Sequence, residues 1–202
     1  MSIGKGTIYE VLSKLWDLRE DLIEFKEVKP DNPHGLYIYD KERDVWVFFS
    51  SKQGDVFIPR VDGYYVIYFD NARCPACRKY DLHWFPYVRQ NAGRFPNHYF
   101  IIVLCEWFAR ECKSPVASNT FTYYAVHASP TTVLLYVKDG KEVYRETYDG
   151  YLKTEELEKV VGGFKARAEA FERGEKVSKP IEEGPDIIKL LRQILSGAGK
   201  DV

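Results

Sequence analysis

The segment Tyr64-Tyr65-Val66-Ile67-Tyr68-Phe69, followed after a short connection by Cys74-Pro75-Ala76-Cys77, decides the fold of this chain. The apolar run predicts a buried strand over 64–70, and the residues from the cysteines onward predict a helix over 75–92. Two cysteines with two residues between them, placed where a strand gives way to a helix, form a dithiol that can close into a disulfide and reopen. The segment therefore predicts a thiol–disulfide redox site.

Further along the chain, the elements follow an order that predicts a mixed sheet. The apolar run Tyr99–Leu104 predicts a strand buried on both faces, and Ser114-Pro115 predicts the start of a helix that ends near Ala125. A helical connection makes the first two strands parallel, with a right-handed crossover. A hairpin turning at Asp139-Gly140 and a last helix complete the pattern. The result is an α/β fold, a mixed four-stranded sheet with flanking helices. Its last two strands are predicted at Thr131–Val137 and Glu142–Tyr148, and its last helix over 154–171, capped by Thr154.

The regions on either side of this core carry separate patterns. An amphipathic helix is predicted over 7–26, a β-hairpin over Leu36–Tyr39 and Val45–Phe49, and a short strand at Val56-Phe57-Ile58. We accordingly divide the chain into an N-terminal helix–hairpin extension (1–61), a core domain (62–173), and a linker with a C-terminal helix (174–202). The extension is expected to complete the sheet edge and to cover one face. The helix at Asp186–Leu195 could dock on its own domain or on a partner, and the sequence leaves both open.

Composition narrows the class of protein. The chain has 202 residues, 45% of them hydrophobic and 29% charged, with a net charge of −1. This balance predicts a soluble globular protein without a nucleic-acid or membrane-surface partner. No apolar run reaches the length of a membrane helix, and the N-terminus lacks the apolar core of a secretory signal, so the expected location is the cytoplasm. Abundant Tyr, Glu and Lys with a single Met resemble the composition of thermophile proteins.

The element order, with Cys74-Pro75-Ala76-Cys77 at the end of its first strand, resembles the thioredoxin-like family over roughly residues 62–172. Ala128-Ser129-Pro130-Thr131-Thr132 strengthens the resemblance, because the family carries a cis-proline at this place beside its dithiol. The resemblance implies that Pro130 is cis and that the backbone there pairs with an incoming peptide. From the residues alone, a trans proline that opens a strand is the alternative.

Several residues depart from the family's pattern. Thioredoxins proper have a Trp before the first cysteine and Gly-Pro between the two, where this chain has Arg73 and Pro75-Ala76. They also bury an aspartate, the proton acceptor, at the position that Tyr68 occupies here. Asp70, Asp81 and Glu106 are candidate substitutes, although each is also readily explained as a surface charge.

The roles of the two thiols follow from their places on the helix. Cys74 is expected to attack, because the helix N-terminus and the nearby Arg73 and Arg78 favour its thiolate. Cys77 then resolves the mixed disulfide. Substrate binding is expected at Ser129, Pro130 and Arg73, with no cofactor in the chain itself.

For the pair Cys74 and Cys77, a structural disulfide and half of a zinc site are the alternatives to a redox dithiol. The remaining candidate zinc ligands, Cys105, Cys112 and His83, lack zinc-site spacing, and no metal site is predicted.

The state of the second cysteine pair, Cys105 and Cys112, has three possible interpretations. Within one helix, their Cα atoms would lie about 10 Å apart, beyond the separation of roughly 7 Å that a disulfide permits. A turn between them would allow the bond. A structural disulfide, two buried thiols and a second redox relay all remain possible from the sequence.

The function that these observations favour is dithiol–disulfide exchange with protein substrates, with a reductase or an oxidant as the recycling partner. A first alternative is a non-catalytic binding module of thioredoxin-like fold in which the dithiol is structural. A second is a disulfide oxidase or isomerase in place of a reductase. His83 and His127 are expected to be structural or surface residues.

Overall fold

A computed structural model describes residues 23–49 and 55–181 of the chain. In this part, one mixed sheet contains seven strands in the order β1-β3-β2-β5-β4-β6-β7. The strands are β1 (Ile23–Phe25), β2 (Gly35–Asp40), β3 (Val45–Phe49), β4 (Gly63–Asn71), β5 (His98–Cys105), β6 (Thr131–Lys138) and β7 (Lys141–Asp149). The helices are α1 (Pro75–Asn91), α2 (Pro115–Tyr123), α3 (Thr154–Leu157) and α4 (Phe164–Glu172), with a 3-10 turn at Ala92–Arg94 and a π turn at Glu158–Gly162.

The central strands have the topology predicted from the sequence. β4 pairs with β5 in parallel, because α1 returns the chain to the same end of the sheet before β5 begins. β6 runs antiparallel to β4 and forms a hairpin with β7. The prediction of an α/β fold in which a mixed sheet is flanked by helices is therefore confirmed.

The predicted number of four strands is wrong. The hairpin of β2 and β3 joins the same sheet, because β2 pairs antiparallel with β5 and covers an edge that would otherwise be open. Leu36, Tyr37 and Ile38 on β2 are buried on both faces, as in an interior strand. The expectation that the extension completes the sheet edge is thus met, while the rest of the predicted domain division stays a prediction.

Two predictions in the N-terminal region differ from the structure. Most of the predicted helix 7–26 lies outside the described residues, but Ile23–Phe25 form a strand that pairs with β3, and Phe25 packs edge-to-face on Tyr37 with ring centroids 5.6 Å apart. No strand forms at 56–58. The Phe57 N–H donates to Thr120 Oγ1 at 3.0 Å, so this segment is anchored to α2 and not to a strand.

The C-terminal region needs one small correction. Thr154 is the first residue of α3 and not its cap, because Lys153 occupies the capping position and its N–H donates to Glu156 Oε2 at 2.7 Å. Residues 174–181 contain neither helix nor strand, and the helix predicted at 186–195 lies outside the described residues. None of the helices in the described ranges is long and apolar enough to cross a membrane.

Alternation along β4 divides the core into two layers and positions the dithiol. Tyr64, Val66 and Tyr68 face the layer that packs beneath α1 and α4, whereas the residues between them face α2. Successive strand residues point to opposite faces, so Asp70 follows Tyr68 on the α1 face. The carboxyl end of β4 therefore presents a buried acid to the first turn of α1, where the cysteines lie.

Candidate active site

The turn between β4 and α1 holds the dithiol at a helix N-terminus. The Ala72 N–H donates to the Cys105 carbonyl at 2.9 Å, which ties this turn to the end of β5. Cys74 is the capping residue of α1, and its sulfur accepts a hydrogen bond from the Cys77 N–H at 3.3 Å. Pro75 fills the first helical position, where a missing N–H costs nothing. The Cys77 N–H, which has no partner within the helix, and the positive end of the helix dipole are therefore both directed toward Cys74 Sγ.

Ser129 lies against both thiols. The Cys74 thiol donates to the Ser129 carbonyl oxygen at 3.5 Å, and Cys77 Sγ lies 3.1 Å from Ser129 Oγ. Both thiols are free and buried, with side chains 4% and 0% exposed, respectively. The peptide bond between Ser129 and Pro130 is cis. The structure therefore brings together four of the residues named from the sequence: Cys74, Cys77, Ser129 and Pro130.

The two thiols differ in acidity. Burial alone raises the pKa of Cys74, but hydrogen bonding with the Ser129 side chain and with the Cys77 N–H outweighs it, and the net pKa is lowered. Burial raises the pKa of Cys77 far above the usual thiol value, and the neighbouring Asp70 carboxyl raises it further. Cys74 is thus the thiol that ionises more readily, while Cys77 needs a base to lose its proton.

A buried cluster of acids lies beneath Cys77. Asp70 is 1% exposed and accepts a hydrogen bond from the Arg78 guanidinium, whose Nε lies 3.2 Å from Asp81 Oδ2. The Tyr68 hydroxyl donates to Asp81 Oδ1 at 3.0 Å. Two of the three candidate proton acceptors, Asp70 and Asp81, are therefore joined in one network with Tyr68.

The electrostatics of this cluster favour protonated carboxyls. Burial raises the pKa of Asp70, against the opposing effect of the Arg78 charge. Burial and the neighbouring Asp70 raise the pKa of Asp81 to about 7. A carboxyl with a raised pKa in contact with a buried thiol can take up a proton and return it near neutral pH.

Arg73 and Glu106 form an ion pair at the surface. The Arg73 guanidinium pairs with Glu106 at 2.5 Å and with Glu111 at 2.7 Å. Both acids therefore offset its charge, so Arg73 contributes less to the ionisation of Cys74 than its place in the sequence suggests. Glu106, the third candidate proton acceptor, binds this surface arginine.

Cys105 and Cys112 form a disulfide, with Cα atoms 4.7 Å apart. A loop, not a helix, connects them, and Trp107 and Glu111 form a short antiparallel bridge within it. We refer to residues 106–111 as the disulfide loop. It carries both acids that bind Arg73.

Asn71 is a site residue that the sequence analysis missed. Its side-chain Nδ2 donates to Ser129 Oγ at 2.6 Å, and its side-chain Oδ1 accepts from the Phe108 N–H at 2.5 Å. It thereby links the disulfide loop to the residue that touches both thiols. A polar pair at the end of an apolar strand, Asp70-Asn71, is the signal that could have identified it.

The histidines lie outside this arrangement. His83 Nδ1 pairs with Thr154 Oγ1 at 3.0 Å, which links α1 to α3. His127 lies on the connection that leads to Ser129. Within residues 23–49 and 55–181, no group of three or more His, Cys, Asp or Glu side chains could hold a metal ion.

Comparison with known proteins gives similarities in structure only. No family model matches the chain, and no curated protein matches it. Among solved structures, it is similar to chloroplastic thioredoxin z (19% identity, 52% of this chain and 80% of that one, TM-score 0.37). It is also similar to thioredoxin from Aeropyrum pernix (14%, 68% and 96%, TM-score 0.42). A third similar structure is mitochondrial thioredoxin 3 from Saccharomyces cerevisiae (21%, 57% and 78%, TM-score 0.31).

Proposed function

We propose that this chain is a thiol–disulfide oxidoreductase that exchanges disulfides with protein substrates through Cys74 and Cys77. The observation that carries the proposal is the contrast between the two thiols. Cys74 caps a helix and has a lowered pKa, while Cys77, one helical turn further on, is buried with a raised pKa. An attacking thiol must ionise easily, whereas a resolving thiol has to stay protonated until the mixed disulfide forms.

The reaction has two displacements. The Cys74 thiolate attacks one sulfur of a substrate disulfide, so that a Cys74–substrate bond forms and the other substrate sulfur leaves as a thiolate. Cys77, once deprotonated, attacks Cys74 Sγ. The Cys74–Cys77 disulfide then forms, and the second substrate sulfur leaves. The substrate disulfide gains two electrons and the dithiol loses two, and the reverse sequence oxidises a substrate dithiol.

Asp70 is the proton acceptor that we assign to the second displacement. It is buried next to Cys77 and raises the pKa of that thiol. The Cys77 proton would move to the Asp70 carboxylate as the thiol attacks. Arg78, bound to the same carboxylate, opposes the rise in the pKa of Asp70 and so favours the ionised form that accepts the proton.

The surroundings of Cys74 suggest where a substrate chain would lie. Ser129 contacts both thiols, and Pro130 begins the approach to β6. We assign substrate contact to these two residues. Arg73, exposed on the other side of Cys74, would contact the substrate only through the part of its charge that Glu106 and Glu111 leave uncompensated.

The experiment that tests the proposal is a redox titration of the Cys74–Cys77 pair in dithiothreitol or glutathione buffers, read by thiol alkylation and mass. A Cys74→Ser variant is the control, because it removes the pair and leaves Cys105 and Cys112 in place. A potential near about −270 mV would support a reductant of protein disulfides, and one above about −200 mV an oxidase or isomerase. A pair that never cycles would refute the proposal and leave the binding module.

A further inference from the structure

A pocket with a largely apolar lining opens between the disulfide loop and α2. Its volume is about 400 Å³, which is within the usual range for ligand sites. Trp107 on its rim is 40% exposed. We refer to it as the loop pocket, and its lining residues are Trp107, Phe108, Ala109, Arg110, Phe121, Thr122, Ala125, Val126 and His127.

The loop pocket is linked to the dithiol site through Asn71 and through the chain between His127 and Ser129. Asn71 binds the Phe108 N–H on one side and Ser129 Oγ on the other. His127 precedes Ser129 by two residues, and two residues of chain span at most about 7 Å. Because the Ser129 carbonyl accepts a hydrogen bond from the Cys74 thiol, a substrate chain bonded to Cys74 begins close to the pocket rim.

The lining gives the pocket a definite chemical character. The ring of Phe108 meets those of Trp107 and Phe121 edge-to-face, at 5.1 and 6.3 Å between centroids. Arg110 adds a cationic group, and no lining residue is acidic. The two acids of the disulfide loop, Glu106 and Glu111, are bound to Arg73. The pocket therefore favours an apolar group with a negative charge beside it.

The disulfide holds this surface in place before any substrate arrives. Cys105 ends β5 and Cys112 closes the loop, so that Trp107 and Phe108 are carried on a short covalent ring. A preformed pocket loses little conformational entropy when a side chain enters it.

We propose that the loop pocket binds a large apolar side chain of the substrate protein, near the cysteine that bonds to Cys74, and that Arg110 pairs with an adjacent carboxylate. The inference rests on the proposed function and adds a substrate preference to it. An extended chain advances about 3.3 Å per residue. A side chain three residues beyond the cysteine thus lies about 10 Å away, which is more than the roughly 7 Å that the chain from Ser129 to His127 can span.

Three peptides test this proposal: Cys-Gly-Ser-Trp-Asp, Cys-Gly-Ser-Ser-Asp and Cys-Gly-Ser-Trp-Lys, each joined through its cysteine to thionitrobenzoate. Attack by Cys74 on the peptide sulfur forms the Cys74–peptide bond, breaks the peptide–thionitrobenzoate bond and releases the coloured thiolate. The full chain is used with Cys74 and Cys77 reduced and the other disulfide intact. Each rate is divided by the rate of the same protein with the mixed disulfide of 2-mercaptoethanol and thionitrobenzoate, which has the same leaving group and no side chain for the pocket.

We expect the Trp-Asp peptide to react roughly tenfold faster than the Ser-Asp peptide, because the burial of a large apolar side chain is favourable. Trp107→Ala should abolish most of this preference, and Arg110→Ala should abolish the preference for Asp over Lys. Tyr123→Ala removes an aromatic side chain that is 46% exposed on the same helix but does not line the pocket. It should keep both preferences.

Equal rates for the three peptides, or a preference that survives Trp107→Ala, would overturn the proposal. A preference that disappears on dilution of the protein would also overturn it, because the binding site would then require a second copy of the chain. These outcomes differ from a failure of the proposed function. In that case the mixed disulfide of 2-mercaptoethanol and thionitrobenzoate would not react with Cys74 either.

Discussion

The carboxyl of Asp70 lies buried at the end of β4 and is held by the guanidinium of Arg78 from the first turn of α1. The two residues place an ionisable acid beneath Cys77, on the same strand face as Tyr68 and one step nearer to the dithiol. Tyr68 itself cannot serve as an acid there, and Asp70 supplies the carboxyl on that face of the sheet.

Replacement of Asp70 by Asn should slow the resolution of the mixed disulfide without removing a hydrogen-bonding side chain from the cluster. The Cys77 thiol would then lose its proton to water alone. We expect a decrease of roughly 100-fold near neutral pH, the usual contribution of a positioned base. The measurement is the lifetime of a Cys74–peptide disulfide after rapid mixing.

The pH profile separates this role from a purely structural one. In the Asp70→Asn variant, the resolution rate should rise about tenfold per pH unit, in proportion to the Cys77 thiolate fraction. The wild-type rate should level off above the pKa of Asp70. Asp139→Asn, in the exposed hairpin turn, is the matched control and should follow the wild type. Parallel profiles for the wild type and Asp70→Asn would rule out Asp70 as the acceptor.

Asp81 should make the stability of the fold depend on pH. Its pKa is raised from 3.8 to about 7 by burial and by Asp70. Between these values the folded state holds more protons than the unfolded state, so the free energy of unfolding falls as the pH rises through this window. Asp81→Asn removes the titrating group and should make the loss of stability between pH 4 and 7 smaller.

Urea denaturation at several pH values measures this effect. Relative to the wild type, Asp81→Asn should gain stability steadily from pH 4 to pH 8. Asp139→Asn, with the same change in charge at an exposed site, should show no such trend. A constant difference between Asp81→Asn and the wild type at every pH would contradict the assignment.

Ser129 should set the acidity of Cys74. Hydrogen bonding with its side chain lowers the pKa of that thiol against the effect of burial. Ser129→Ala should therefore raise the midpoint of the pH dependence of Cys74 alkylation by roughly 0.5 to 1 pH unit, the equivalent of one hydrogen bond. Ser118→Ala removes a hydroxyl that donates to the Ala109 carbonyl in the disulfide loop and should leave the midpoint where it is. An unchanged midpoint in Ser129→Ala would show that the backbone donors alone determine the acidity.

Local patterns were enough to predict the elements that carry the dithiol. The apolar runs of β4 and β5, the Ser114 cap of α2 and the Asp139-Gly140 turn are each read from a few neighbouring residues. The pairing of β2 with β5 could not be read in this way. Tyr37 and Ile38 predict a strand, but their pairing with Ile102 and Ile101 depends on contacts between residues far apart in the sequence.

The residues of the candidate site could likewise be predicted only where a local pattern marks them. Cys74 and Cys77 stand out from their spacing, and the resemblance adds Ser129 and Pro130. The sequence could not choose among Asp70, Asp81 and Glu106, because burial and ion-pair partners decide their roles. Asn71 was missed for the same reason, since its two partners come from separate loops that meet only in the folded chain.

The Cys105–Cys112 disulfide should stabilise the fold by restricting the unfolded chain. It closes a short loop, with a sequence separation of 7, for which the chain-entropy model gives about 2 to 3 kcal/mol. The double variant Cys105→Ala/Cys112→Ala should lose about this much free energy of unfolding in urea. Wild-type protein in which a reductant has opened the bond provides a second comparison without any mutation, and it should lose a similar amount. If neither protein is less stable than the oxidised wild type, the bond does not stabilise the fold, and the rigidity that we assign to the loop pocket must come from the hydrogen bond between Asn71 and Phe108.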